Sequence, residues 1–117
     1  MTVEADIQAI FASHAAVTAL VGDKIYPDAL PADKLPAVVH TVTGSQTEQN
    51  LLGEIIAEAY QVRVECWAKT KAGAVAVRDA CKGALLAADI PYESGASLVD
   101  AQTGEFGAAI DFTWWAL

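Results

Sequence analysis

The chain holds few side chains suited to metal ligation or nucleophilic chemistry beyond its carboxylates: two histidines, His14 and His40, and two cysteines, Cys66 and Cys81. Neither cysteine belongs to a CxxC pair, and no His/Cys group has metal-ligand spacing. His14 falls at the edge of an apolar helical stripe, as a capping or half-buried residue does. His40 falls in the middle of a strand pattern, as a sheet-face residue. The two cysteines read as reduced, buried thiols, one on a strand and one on the helix that follows it. That placement brings them near each other without implying a disulfide. The serines Ser13, Ser45, Ser94 and Ser97 lack the G-x-S-x-G setting of a nucleophile elbow. Gly22-Asp23-Lys24 lacks the upstream glycine and the following Ser/Thr of a phosphate loop. The acidic residues are numerous but dispersed. The chain is therefore expected to be no enzyme, with no catalytic, cofactor-binding or metal site.

Charge narrows the partners. Fifteen Asp and Glu against seven Lys and Arg leave a net charge of −8 over 117 residues. Such a surface repels phosphate and disfavours binding through a basic footprint. The charge is uneven: residues 1–60 carry two lysines against eight acids, a net −6, and the remainder carries −2. An acidic edge of one subunit against a basic edge of the next is one reading; an ordinary mixed surface is the other. Trp67 and Trp115 both fall opposite the main apolar row of their strands, either as anchors for a protein partner or as a self-shielding cross-strand pair. No apolar run reaches the roughly 18 residues of a membrane span. No basic, secretory-type start is visible, so a cytoplasmic product is expected. Hydrophobic residues make up 54% of the chain, and 24 of them are alanine. An apolar excess of small residues suits close packing and subunit interfaces.

The elements that would position these residues follow from periodicity. Ile7, Ile10, Phe11 and His14 mark a first helix from Val3 to Ala16, with a break expected near Ser13 and a continuation through Val17–Val21 that stops at Gly22. Ile25-Tyr26-Pro27 and the prolines Pro31 and Pro36 form a connector fixed by restricted φ, without a ladder. Ala37–Gly44 alternates as a strand, and Ser45–Gly53 reads as a long polar loop at the tip of a hairpin. Glu54–Ala68 alternates with period two. Thr70 is a suitable N-cap for a helix from Lys71 to about Ala88, with Ala74, Val77, Cys81, Ala84, Leu85 and Ala88 on its buried stripe. Ser97–Gln102 and Phe106–Leu117 close the chain as strands around a Thr103-Gly104 turn. The expected fold is a single α+β domain over residues 1–117. It has order α-β-β-α-β-β, a four-stranded antiparallel sheet and two main helices packed on one face.

Three segments carry a resemblance over nearly the whole chain. They are VTALVGDKIYPDALPADKLPAVVHTV, then YQVRVECWAKTKAGAVAVRDACKGAL, then the terminal AAIDFTWWAL. In this order and spacing the chain resembles the phage tail completion, or tail terminator, family. The resemblance implies an α+β virion protein of a tailed phage or prophage. Such a protein forms a ring, commonly six-fold, on the head-proximal end of the tail tube. The ring stops tube polymerisation and meets the head-tail connector, and DNA passes through its lumen without specific binding. The implied partners are a second copy of the chain, the tail tube protein and the connector protein, with no membrane and no cofactor. The implied location is the virion tail, and the host bacterial cytoplasm during assembly. Residues Ser45, Gln46, Thr47, Glu48, Gln49 and Asn50, with Trp67 and Trp115, are the expected protein-contact residues. A head-side adaptor or stopper of the connector, and an unrelated small binding module, are the alternative readings.

Overall fold

The protein is seen in a computed structural model that describes residues 3–28, 35–49, 51–99 and 106–116. Helix α1 (Val3–Ala12) is followed by α2 (Ala15–Val21). The break falls where expected: His14 adopts extended φ/ψ of −94° and 116° as the N-cap residue of α2. The Ser13 hydroxyl donates back to the carbonyl of Ile10 at 3.3 Å, which competes with helix continuation. Gly22, at φ 64°, ends α2 in a conformation that glycine adopts without penalty.

Strand β1 (Ile25–Pro27) then pairs in parallel with β2 (Ala37–Gln49), in the register Ile25↔Val38, Tyr26↔Val39, Pro27↔His40. The expected unladdered connector is thus corrected. Three residues suffice because Pro27, which lacks an N–H, sits at the end of an edge strand. Asp28 N–H still donates to the His40 carbonyl at 3.0 Å.

Strand β2 pairs antiparallel with β3 (Ile55–Ala68) out to Gln49↔Ile55. The segment Ser45–Gln49 is therefore strand, not loop, and the turn is confined to the residues between Gln49 and Ile55. Backbone pairing overrides the polar side chains because this outer ladder faces solvent, where polar residues lose nothing by being in a strand. Helix α3 (Lys71–Ala87) starts as the sequence predicts: Thr70 Oγ1 accepts from Gly73 N–H at 3.0 Å. It ends in a Schellman-type turn, with Ile90 N–H on the Leu85 carbonyl at 2.8 Å and Asp89 at φ 59° in the place usually taken by glycine.

Strand β4 (Tyr92–Val99) starts five residues before the expected Ser97 and pairs with β5 (Phe106–Ala116); the expected end at Gln102 lies outside the described residues. The expected Thr103-Gly104 turn lies outside the described residues. The sheet order is β1-β2-β3-β5-β4. The fold is α+β as expected, but the sheet is mixed, with a parallel edge strand added to four antiparallel ones, and three helices replace two.

One apolar layer joins helices to sheet. Ile7, Phe11, Val17 and Val21 of the first two helices and Val77, Cys81 and Leu85 of α3 meet Val38, Val62, Val64, Cys66, Ile110 and Phe112. Cys66 and Cys81 are buried free thiols with their sulfurs 3.8 Å apart, so the sequence placed them correctly as neighbours. Their contact and burial push the Cys66 thiol well above its usual range.

Candidate functional site

The helices cover one face of the sheet, and the functional residues expected from sequence lie mostly on the other face or on the outer arm. The register gives the second face row by row. Thr41, Arg63 and Asp111 form one cross-strand row; Gly44, Gln61 and Thr113 the next; Gln46, Ala59 and Trp115 the next. The centre of this face is held by a two-pronged ion pair, in which Arg63 Nε and Nη2 donate to the two carboxylate oxygens of Asp111 at 2.9 and 3.2 Å. Thr113 Oγ1 donates to Gln61 Oε1 at 3.4 Å beside it.

Trp115 is 54% exposed on this face, whereas its neighbour Trp114 turns to the helix side and packs against the core. Only one of the two consecutive tryptophans faces the helices, as alternation requires. Trp67 is half-buried on the same face as Trp115, and its indole Nε1 donates to Glu65 at 3.4 Å. Trp67 pairs with Gly107 and Ala37, whereas Trp115 pairs with Ala59. Eight residues of β3 separate the two rows, about 26 Å at strand rise. The reading of a self-shielding cross-strand pair is therefore excluded, and the two tryptophans do not form one site.

Ser45, Gln46, Thr47 and Gln49 are exposed along β2, and the Glu48 backbone pairs with Ala57. Asn50 lies outside the described residues. Of the expected contact residues, the structure brings Gln46 into one row with Trp115 and leaves Trp67 at the other end. A β-bulge between Val42 and Gly44 leaves Thr43 unpaired and its hydroxyl on the Gln61 carbonyl at 3.3 Å. The bulge puts Gly44 and Gln46, not Thr43, on the face shared with Thr41.

The contact residues expected from sequence stop at Asn50, just short of the leucines at the tip of the hairpin. Among the described residues, the last β5 residue paired to β3 is Ala116, opposite Glu58, and the β2–β3 hairpin continues past that row to Gln49↔Ile55. Its end carries Leu51, fully exposed, and Leu52, 84% exposed. Two adjacent leucines in a turn were the available signal: a turn cannot bury them against its own strands, so they face outward. The molecule is elongated, with extents of 52 × 30 × 22 Å and a radius of gyration of 15.0 Å. A compact chain of this length has about 13 Å.

Two apolar depressions lie elsewhere. One, of about 320 Å³, lies between α2 and α3 beside the end of β3, with walls from Leu20, Leu35, Pro36, Ala76 and Val77 and a rim at Lys69. Lys24 Nζ donates to the Leu35 carbonyl at 3.3 Å and fixes one wall. The other, of about 280 Å³, is lined by Ile10, Ile90, Pro91, Trp114 and Trp115, with Asp89 among them.

The histidines serve the fold. His40 is 1% exposed on the helix side of the sheet, and its Nε2 meets Gln8 Oε1 at 2.7 Å. Gln8 Nε2 in turn donates to the Ile25 carbonyl at 2.8 Å, so one amide joins α1 to both β1 and β2. Burial lowers the His40 pKa, against the opposing pull of Asp28 and Glu4. His14, half-buried, precedes α2 and lies near Gly83 of α3. Among the described residues no group of His, Cys, Asp and Glu could hold a metal ion. No helix among them is long and apolar enough to cross a membrane.

Comparison with known proteins agrees with this architecture. No curated protein matches the sequence significantly. Among solved structures, a chain from the virion of a native gene transfer agent particle superposes with a TM-score of 0.73 at 16% identity, covering 95% of this chain and 91% of that one. At that identity the likeness is one of fold. The family model "Tail completion protein gp17" matches residues 5–116, from within α1 to the end of β5. The chain therefore belongs to the tail completion protein gp17 family and is a structural protein of phage tails.

Proposed function

We propose that this chain caps the head-proximal end of the tail tube as a ring, stops tube polymerisation and joins the tail to the head connector. The observation that carries the reading is the family match across 5–116, which spans every element of the fold. Three physical features support it. The molecule has two unlike ends, an arm with an apolar tip and a body with an apolar groove, and a head-to-tail ring needs two different complementary surfaces per subunit. The net charge of −8 suits a channel wall, since like charge lets the DNA backbone slide without sticking. The broad second face of the sheet carries side chains tied to each other, such as Arg63–Asp111, together with an exposed tryptophan, the composition of a protein-contact surface.

In this reading the partners are further copies of the chain, six in the closed ring, the tail tube protein on one side and the connector on the other. The protein resides in the virion tail after assembly in the host cytoplasm. Gln46 and Trp115 contribute to one contact and Trp67 to another. Electron microscopy of tails made without this gene tests the reading. Overlong or uncapped tails without heads are the expected result. Normal-length tails beside tailless filled heads would move the protein to the connector side. Intact joined particles would overturn both.

A further inference from the structure

We infer that copies of this chain join head to tail, the Leu51–Leu52 tip of one arm seated in the groove between α2 and α3 of the next copy. The pairing deepens the ring reading above and rests on it for its biological setting. The tip presents two leucines to solvent on a two-stranded arm, an apolar exposure that burial against a partner would relieve. The groove supplies the matching apolar walls, Leu20, Leu35, Pro36 and Val77, with Leu20 itself exposed. The arm of the same chain cannot reach it. Tip and groove lie at opposite ends of β3, and thirteen residues at strand rise put them about 43 Å apart.

Charge selects this groove over the other depression. From Thr41 to Val62 the sequence has no basic residue and three acids, Glu48, Glu54 and Glu58. From Cys66 to Arg78 it has no acid, and Lys69, exposed, lines the groove, with exposed Lys71 two residues on. The depression at Trp114 and Trp115 is lined by Asp89 and would repel an acidic arm. The pairing joins two different surfaces, so it propagates, and it closes into a ring or continues as a filament according to the rotation per copy.

Cysteine trapping in the purified full chain tests the inference. Leu51→Cys and Ala76→Cys each place one thiol on an exposed site, while Cys66 and Cys81 stay buried. Under mild oxidation at high protein concentration, the mixture of the two single variants is expected to give a crosslinked dimer in large excess over either alone. The double variant is expected to give a ladder of oligomers. Lys69→Glu should slow crosslinking about tenfold, and Glu54→Lys on the partner thiol variant should restore it. Absence of the 51–76 crosslink, or equal crosslinking of Leu51→Cys to Thr113→Cys on the open sheet face, would overturn the pairing. The outcomes separate from those of the ring reading. A missing crosslink with uncapped tails in the gene deletion removes the pairing and keeps the ring. A strong crosslink with normal joined particles in the deletion removes the ring and keeps the pairing.

Discussion

A neutral imidazole enclosed between α1 and the sheet, hydrogen-bonded to Gln8, takes up a proton less readily than one in an unfolded chain. The folded pKa of His40 lies below its ordinary value of about 6.5, so near that pH the unfolded state binds more protons than the folded one. Stability from this group is therefore complete above about pH 6.5 and falls as pH drops through the window down to the lowered folded value. Urea midpoints measured from pH 7.5 to 5 should decline, and His40→Gln should flatten most of that decline. Gln8→Ala removes the acceptor of the buried Nε2–H and the donor to Ile25, and should cost about 1–3 kcal/mol by denaturant unfolding. The Arg63–Asp111 pair, a third exposed, should show a coupling of no more than about 1 kcal/mol in a double-mutant cycle. At this scale the sequence reading was partly right. His40 was placed on a sheet face, but Gln8 carries no signal of its own, because its role exists only once α1 crosses β1 and β2.

Elements were legible in proportion to how much of their pattern is imposed by burial. The core half of β3 alternates because one face meets the helices, and α3 starts at Thr70 because the hydroxyl caps it. Thr70→Ala should cost about 1 kcal/mol, and Asp89→Gly should stabilise by several tenths through relief of a positive φ, both readable from thermal midpoints. β1 is too short to show a period. β4 is an outer strand containing Gly95 and following Pro91, residues that an edge tolerates, and so it offered no alternating run. The polar stretch after Gly44 was misread as loop because its ladder is solvent-facing and no hydrophobic face marks it. The arm tip offered no period either, because its two leucines sit in a turn with their side chains exposed to solvent. Changing both to serine should leave unfolding free energy within about 0.5 kcal/mol, since they bury little.

On the scale of the whole molecule, the fold divides labour between a packed body and a projecting arm. The core layer, with Phe11, Phe112 and Leu85 at its centre, belongs wholly to the body. Phe112→Ala should cost about 3–5 kcal/mol and lower stability and assembly together. Tip substitutions should instead separate the two, leaving the monomer intact while abolishing association. Family membership was readable because the spacing of the Gly22–Pro36 connector, the β3–α3 segment and the final strand is set by the body. The contact surfaces were read only in part, since they are completed by other molecules.

The unpaired Thr43 fixes a parity for the arm. Inward of it, odd-numbered residues of β2 look toward the open face; outward of it, even-numbered ones do. Deleting Thr43 would make the ladder regular, with Gly44 still opposite Gln61 and Gln46 still opposite Ala59, so the arm would keep its faces; a one-residue change that no bulge absorbs would turn the residues beyond it to the other side. Arms can therefore lengthen or shorten by pairs of residues while keeping the same side outward. An odd change in one strand is absorbed by the gain or loss of a bulge, and this chain carries a second irregularity between Glu48 and Gln49, just before the turn.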